Sequence, residues 1–376
     1  MTAGRIPFID LRPGDDNEAV RAAIDRVVTR GWFVLGPEVE AFEAEFAAAS
    51  GASYAVGVGS GTDAIALLLR AINVRPGDEV IVPAITAAYT ALAVLLAGAT
   101  PVFADVDAET LTLDPGACEA AITSRTVAIV PVHLYGQAAD MRALQAMARR
   151  HSLAIVEDCC QAHLAACDGV PIGTQTSGGA FSFYPTKNLG ALGDGGAVIT
   201  NDATLADRIR RLRNGGQIDR YVHAEAGVNS RLDDLQAAVL RARLPLLPRW
   251  TARRRALAAT YRRAFSDAAI SDRGRAVRAL EERDSGHVYH LFVVRSAERE
   301  ALQAHLRASG VETLIHYPVP LPQQAAFAPF ARNACGVAAQ AAHDILSLPL
   351  HPRLTDTDVE RISSSIDAFQ KGRILA

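Results

Sequence analysis

A single lysine stands in the segment FSFYPTKNLGALGDGG (residues 181–196), which holds no other cationic side chain. Lys187 follows a run of aromatic residues and precedes a glycine-rich stretch. An arbitrary lysine is usually a solvated surface residue. An isolated amine beside so flexible a loop is also typical of a nucleophile held against a cofactor. The function of Lys187 therefore depends on which groups the rest of the chain places around it.

A glycine-rich turn, GVGSGT (residues 57–62), joins an apolar strand pattern to a helical pattern. Gly57 and Gly59 match the first glycines of a dinucleotide-binding fingerprint, but Thr62 stands in place of the third, so that interpretation is weak. A helix that starts near Thr62 would still direct free backbone N–H groups at a phosphate. A plain strand-to-helix turn with a threonine cap explains the same residues. The segment alone leaves both interpretations open.

Carboxylates follow another apolar strand in EDCCQAH (residues 157–163). Ligands of open α/β sheets bind at the carboxyl ends of the strands, so Asp158 is expected to point into that crevice. No histidine pair with ligand spacing accompanies the acids, which disfavours a metal site, and a loop-capping acid is the simplest alternative. Together, the glycine turn, Asp158, Ser182 and Lys187 could hold a phosphate, a pyridinium nitrogen and an aldehyde carbon. These are the reactive groups of pyridoxal phosphate.

Short apolar strands alternate with helical patterns through the first half of the chain. Strands are predicted at residues 54–58, 78–82, 101–105, 126–132 and 153–157, and helices at residues 62–72, 87–97, 115–123 and 139–150. Two further strands, near 179–183 and 196–200, flank the lysine and could add an antiparallel member. This order predicts an α/β protein with a mostly parallel, mixed sheet covered by helices. A change of pattern near residue 246 predicts a large domain (residues 1–245) and a smaller α+β domain (residues 246–376).

Composition excludes several classes of function. The chain has 376 residues and a net charge of −3, which gives no electrostatic footprint for nucleic acid or an anionic membrane. Its apolar runs are too short to span a bilayer, and its N-terminus lacks a signal-peptide pattern. Five scattered cysteines in no zinc-type pairs indicate reduced thiols. We therefore expect a cytoplasmic protein with no nucleic-acid, membrane or metal partner.

These motifs resemble those of the DegT/DnrJ/EryC1/StrS sugar aminotransferase family, which has the aspartate-aminotransferase type of fold. The resemblance follows family order over nearly the whole chain, and the lysine block is its most specific part. The matching segments are GVGSGTDAIALLL, GATPVFADVD, PVHLYGQAADM, AIVEDCCQAH, FSFYPTKNLGALGDGGAVIT, GVNSRLDDLQAAVL, VYHLFVV, IHYPVPL and LSLPLHP.

The resemblance implies a pyridoxal-phosphate site and a role for each matching residue. Lys187 would bind the cofactor aldehyde covalently, and Asp158 would keep the pyridinium nitrogen protonated. Gln161 would contact the ring hydroxyl. The phosphate would be held by residues at helix and strand ends: Gly61, Thr62, Ser182 and, across the interface of a homodimer with shared active sites, Asn229.

The resemblance also implies the substrates, L-glutamate as amine donor and a nucleotide-linked keto sugar as acceptor. The segments VYHLFVV and IHYPVPL are more similar to relatives that act on 3-keto sugars than to those that act on 4-keto sugars. Tyr184, His316 and Tyr317 are the expected substrate-side residues, although a histidine packed at a strand end explains His316 equally well. Arg231 could bind a donor carboxylate or pair with a neighbouring aspartate.

Alternatives remain open at this point. A 4-keto sugar or a keto-cyclitol is another possible acceptor, and a non-catalytic regulatory protein could keep the same fold. Dehydratases of the family carry histidine at the lysine position, so Lys187 counts against that activity. Some residues also depart from the family pattern. Ala87 stands where many relatives stack an aromatic ring on the cofactor, a role that Tyr89 could take instead, and Cys160 replaces an alanine. Asn214–Gly215–Gly216 replaces an asparagine, histidine, glycine run, and Pro322 stands where some relatives have histidine.

Overall fold

The computed structural model describes residues 4–12, 14–267 and 277–374. The helices are α1 (Asn17–Arg30), α2 (Pro37–Ala49), α3 (Gly61–Ala71), α4 (Ala88–Leu96), α5 (Pro115–Ala120), α6 (Met141–His151), α7 (Ala203–Leu212), α8 (Asp234–Arg243), α9 (Leu247–Asp267), α10 (Arg299–Ala308), α11 (Gly336–Asp344) and α12 (Asp356–Ile374). The strands are β1 (Tyr54–Val58), β2 (Glu79–Pro83), β3 (Thr100–Ala104), β4 (Thr126–Ile129), β5 (Ala154–Asp158), β6 (Ala166–Cys167), β7 (Val170–Pro171), β8 (Gly178–Ser182), β9 (Gly196–Thr200), β10 (Gln217–Asp219), β11 (Val222–His223), β12 (Arg278–Ala279), β13 (Phe292–Arg295) and β14 (Ile345–Leu348).

A seven-stranded sheet in the order β1-β9-β8-β5-β4-β2-β3 forms the centre of the molecule. Its neighbouring strands run parallel except at β9, which is antiparallel to both β1 and β8. The strands are apolar along most of their length and buried, as expected for a sheet with helices on both faces. The predicted α/β fold with a mostly parallel, mixed sheet is confirmed.

One strand is shorter than its sequence pattern predicts. β4 ends at Ile129, although the apolar run continues to Val132. Pro131 interrupts the run and cannot donate a backbone hydrogen bond to a neighbouring strand. The chain resumes pairing only at Val132, which forms an isolated bridge to Asp158.

A second, three-stranded antiparallel sheet, β12-β13-β14, lies in the C-terminal part of the chain. Residues of α9, α10 and α12 pack with it in a separate apolar cluster that includes Tyr261, Phe292 and Leu346. Ile6 belongs to the same cluster and bridges to Val311, so the start of the chain is anchored to this C-terminal part. No helix in the described part of the chain has both the length and the apolar composition needed to cross a membrane.

Strand direction brings three chain segments to one edge of the large sheet. β1, β8 and β5 all point the same way, because β9 is antiparallel to β1 and β8, and β8 is parallel to β5. The start of α3, the end of β8 at Ser182 and the end of β5 at Asp158 therefore meet at the carboxyl edge. This is the edge at which open α/β sheets bind their ligands.

Candidate active site

The start of helix α3 lies directly against the end of β8. Ser60 caps the helix and accepts a hydrogen bond from the Asp63 N–H (3.1 Å). A Cβ atom on Gly61 would lie 2.7 Å from both Cys160 Sγ and Ser182 Cβ, so only glycine allows this approach. The N–H groups of Gly61 and Thr62 and the half-buried side chains of Thr62 and Ser182 thus form one small seat, which suits a phosphate.

Asp158 is a buried carboxylate with a fixed orientation. Thr90 Oγ1 donates to Asp158 Oδ2 (2.8 Å), and the Cys160 N–H donates to Asp158 Oδ1 (3.1 Å). Thr90 belongs to the first turn of α4, which packs behind the strand ends. Each carboxylate oxygen keeps acceptor capacity beyond these bonds, so Asp158 can also receive a proton donor from a ligand.

Gln161 is held by a network that joins the large sheet to the segment containing His316. The Tyr135 N–H donates to Gln161 Oε1 (2.7 Å), and Gln161 Nε2 donates to the Tyr317 hydroxyl (3.0 Å). The Tyr135 hydroxyl donates to the carbonyl oxygen of His316. These contacts fix the Gln161 amide with its N–H group as the donor. Burial raises the pKa of Tyr317, so its hydroxyl keeps its own proton for a further acceptor.

Lys187 lies in the loop between β8 and β9, and its side chain is half-buried. Burial lowers the pKa of the Lys187 amine, against the opposing influence of Cys160 and Asp158. A cavity of about 270 Å³ borders the loop on the side that faces residues 9–16. These surroundings favour the uncharged, nucleophilic form of the amine.

The three residues expected on the substrate side have different surroundings. His316 Nδ1 lies 2.9 Å from Ser347 Oγ, its ring stacks on Phe8, and burial together with the nearby Lys187 lowers its pKa to about 4. It is thus a packed histidine whose pKa is lowered further by the charge of Lys187. Tyr184 is 51% exposed on the protomer surface, three residues before Lys187.

Comparison with known proteins identifies the family. The DegT/DnrJ/EryC1/StrS aminotransferase family profile matches residues 14–367. The chain belongs to this family. It is 48% identical to the dTDP-3-amino-3,4,6-trideoxy-alpha-D-glucose transaminase of Streptomyces venezuelae, over 96% of this chain and 95% of the relative. It is 46% identical to the erythromycin biosynthesis sensory transduction protein EryC1 of Saccharopolyspora erythraea, over 96% and 99%. The crystal structure of S. venezuelae DesV in complex with a ketimine intermediate superimposes with a TM-score of 0.93, at 45% identity, covering 98% and 99% of the two chains.

The chain is accordingly a pyridoxal-phosphate-dependent aminotransferase. Solved structures of the family contain this cofactor in its pyridoxal or pyridoxamine form. The residues described above fit this cofactor. The seat at Gly61, Thr62 and Ser182 would suit its phosphate, the buried Asp158 would suit its ring nitrogen, and the amine of Lys187 would suit its aldehyde.

In this aminotransferase the neighbouring residues Asn229 and Ser230 have different surroundings. The side chain of Asn229 is exposed, and its backbone bridges to Asn214. The adjacent Ser230 turns inward: its Oγ accepts from the Gly59 N–H (2.9 Å) and donates to Asp63 Oδ2 (2.8 Å). Ser230 therefore ties the GVNSRL segment to the start of α3 within the protomer, while Asn229 faces outward.

Of the residues that depart from the family pattern, the Asn214–Gly215–Gly216 turn has a local explanation. Gly215 and Gly216 both have positive φ (74° and 79°), and a Cβ on Gly216 would lie 1.8 Å from the Glu225 carbonyl oxygen, so this turn requires glycine. Arg231 Nη1 donates to Asn214 Oδ1 (3.1 Å). Tyr89 is exposed on the first turn of α4, next to Ala87.

A buried cluster of His133, Glu157 and Cys159 has the composition of a metal site but not its free ligand atoms. His133 Nδ1 accepts from the Ala139 N–H (3.1 Å), so Nε2 carries the proton and donates to Glu157 Oε2 (2.9 Å). Glu157 also accepts from the Gly173 N–H and the Thr176 hydroxyl. Both ring nitrogens of His133 are engaged in hydrogen bonds. The cluster is therefore a hydrogen-bond network around the end of β5.

Sequence reasoning did not find several residues that support the site. Thr90 orients Asp158, Tyr135 fixes Gln161, and Ser230 secures the turn before α3. Each is distant in sequence from the residue that it supports. The motif EDCCQAH contains Asp158 and Gln161, and the segment GVNSRL contains Ser230. Only the fold shows which distant residues these side chains contact.

Proposed function

We propose that this aminotransferase transfers the amino group of L-glutamate to a nucleotide-linked 3-keto-6-deoxyhexose. The single observation that carries the proposal is that Asp158, the Gly61 seat and the start of the loop that bears Lys187 lie at one edge of the sheet. The C3 position is supported by the S. venezuelae relative, which is a transaminase for a 3-amino sugar.

The proposed roles follow from the surroundings of each residue. Bound pyridoxal phosphate supplies an electron sink for the carbon that carries the amine. Lys187 holds the cofactor covalently at rest and then, as a free amine, moves a proton to and from that carbon. Asp158 keeps the ring nitrogen protonated by its negative charge. Gln161, whose amide is fixed as a donor, contacts the ring hydroxyl.

The phosphate is proposed to occupy the seat formed by Gly61, Thr62 and Ser182. Its charge is then met by helical N–H groups and the helix dipole, which favour an anion at this end of α3. Tyr184, His316 and Tyr317 are proposed to contact the sugar. His316, whose pKa is lowered to about 4, acts there as a neutral hydrogen-bonding group near pH 7.

We further propose a homodimer in which Asn229 reaches the phosphate bound by a second copy of the chain. The outward position of Asn229 supports this arrangement. So does the exposure of large apolar side chains, including Trp32, Phe33, Leu192 and Tyr221, on the protomer. A large domain (residues 1–245), a smaller domain (residues 246–376) and a cytoplasmic location belong to the same proposal.

The test is a substrate panel. Purified protein with pyridoxal phosphate and L-glutamate is incubated with matched nucleotide-linked 3-keto and 4-keto 6-deoxyhexoses and a keto-cyclitol, and the products are identified by mass spectrometry. The 3-keto sugar should give the highest kcat/KM. Equal rates, or preference for another acceptor, would remove the 3-keto assignment. Protein loaded with pyridoxal phosphate is expected to be yellow. If L-glutamate does not remove this colour, the assignment of L-glutamate as the amine donor fails as well.

A further inference from the structure

His163 lies in the turn after β5 that also carries Asp158 and Gln161. Its side chain is fully buried. The ring packs against Phe181 and Phe183, with centroid distances of 5.4 and 5.8 Å. His163 is thus surrounded by the aromatic core, directly beneath the strand end that bears Ser182.

The hydrogen bonds of His163 define its protonation state. Nε2 lies 2.9 Å from the carbonyl oxygen of Ser182, which can only accept, so Nε2 carries the proton. Nδ1 is buried and has no hydrogen-bond partner among the described residues. Burial lowers the pKa of His163 to about 3, and the nearby Lys187 acts in the same direction. The ring is therefore neutral, with a single tautomer, at physiological pH.

The unpaired Nδ1 indicates what the histidine contributes. A buried acceptor without a partner destabilises the fold, because it has lost its hydrogen bond to water and gained none in return. A phenylalanine ring at this position could make the same aromatic contacts to Phe181 and Phe183 without that cost. The one interaction that histidine adds over phenylalanine is the hydrogen bond to Ser182.

We propose that His163 is a positioning residue that holds Ser182 against the cofactor phosphate. The inference rests on the proposed role of Ser182 in binding that phosphate. His163 binds the carbonyl oxygen of Ser182, and the Tyr184 N–H donates to Ser182 Oγ (3.3 Å). The N–H of the same peptide, from Phe183, donates to the Gly195 carbonyl oxygen (2.8 Å), so the His163 bond holds the side of the peptide that the sheet leaves unpaired. Because Ser182 Cβ already lies against the start of α3, a small shift of this strand end would move the hydroxyl out of the seat.

The test compares a ligand that has the phosphate with one that lacks it. Dissociation constants of pyridoxamine phosphate and pyridoxamine are measured on the full chain, freed of cofactor, for wild type, His163→Phe, His163→Gln and Ser182→Ala. His163→Phe should weaken binding of the phosphorylated ligand about tenfold, or about 1.4 kcal/mol, and that of pyridoxamine less than twofold. His163→Gln, which keeps a donor near the Nε2 position, should stay within about threefold of wild type for both.

The outcomes separate the two proposals. If Ser182→Ala leaves the ratio of the two constants unchanged, the phosphate role of Ser182 is wrong, and the inference falls with it. If Ser182→Ala changes the ratio but His163→Phe does not, or if glutamine is as harmful as phenylalanine, only the positioning role is overturned. Nitrogen NMR of wild-type protein labelled at histidine gives a readout that needs no variant. The proposal requires a proton on Nε2 of His163 from pH 5 to 9, and a proton on Nδ1 contradicts it.

Discussion

The two residues proposed to act on the cofactor ring and aldehyde, Asp158 and Lys187, differ in character. Asp158 is a buried carboxylate that receives one hydrogen bond on each oxygen, from Thr90 and from the Cys160 N–H. Lys187 is a half-buried amine whose pKa is lowered by burial. The carboxylate is immobilised, while the amine sits in a glycine-rich loop next to a cavity. The Asp158 carboxylate is suited to stabilise a positive charge on a ring. The Lys187 amine is suited to form and break a covalent bond and to carry a proton.

Lys187→Ala should bind pyridoxal phosphate without a covalent link and should not turn over. The seat and the ring contacts remain in this variant, but the nucleophile and proton carrier are gone. Absorption spectra after gel filtration measure cofactor retention, and product formation from L-glutamate measures turnover. Normal steady-state turnover would show that Lys187 is a structural loop residue.

Asp158→Asn should lower kcat by about a thousandfold or more, with little change in thermal stability. The amide keeps the shape of the side chain but lacks the charge that holds the ring nitrogen protonated. Thr90→Val is the matched control, because it removes only the hydroxyl that orients Asp158 and should cost about tenfold, or about 1.4 kcal/mol of barrier. A loss within about tenfold for Asp158→Asn would make Asp158 a capping residue.

At the scale of elements, the close approach of α3 to β8 is the main determinant of the site. The seat exists because a helix start and a strand end meet without a side chain between them. Another helix, α11, also begins with a glycine, Gly336, but a Cβ atom there would meet nothing within 4 Å. The two glycines therefore occupy equivalent helix positions with opposite steric surroundings.

Gly61→Ala should destabilise the fold by about 1–3 kcal/mol through overpacking and should weaken cofactor binding. Gly336→Ala should leave both properties close to wild type. Urea unfolding and a titration with pyridoxamine phosphate measure the two effects. Adding Cys160→Ala should recover part of the Gly61→Ala loss, because Cys160 Sγ is one of the two atoms at 2.7 Å. Equal effects at both glycines would contradict the close approach.

The elements were more predictable than the contacts between them. The alternation of apolar strands and helical patterns located β1, β2, β3 and β5 within a residue, because burial on both faces leaves a plain apolar run. β4 was overestimated, since a periodic pattern does not register the donor that Pro131 lacks. His163, Thr90 and Tyr135 were missed as supporting residues, because their hydrogen bonds join segments that only the fold brings together.

At the scale of the whole molecule, the protomer leaves one predicted cofactor contact outside its own seat. Asn229 is exposed, whereas its neighbour Ser230 contacts Gly59 and Asp63 of the same chain. Large apolar side chains are exposed on the same protomer. A closed, two-fold dimer is the simplest assembly in which both sites obtain the same residue from a neighbour.

Mixing Lys187→Ala chains with Asn229→Ala chains should restore activity. In a mixed dimer with shared sites, one site collects both defects and the other collects neither. The two chains carry different affinity tags, so that mixed dimers can be purified after coexpression and assayed against each parent variant. Activity no greater than the mean of the two parents would show that Asn229 serves its own chain.

The amine in the lysine loop has a further consequence for the chemistry of the whole chain. Lys187 and the exposed Lys371 are the two lysines of the sequence, while other cationic positions are occupied by arginine. Excess pyridoxal phosphate forms imines with the surface lysines of most proteins. In this chain Lys371 is the one other lysine that can compete with Lys187 for the aldehyde. Borohydride reduction should fix about one cofactor per chain and yield one dominant labelled peptide, with Lys371→Arg as the control that leaves this peptide unchanged. Reduction would thus label the chain at Lys187 with its own cofactor.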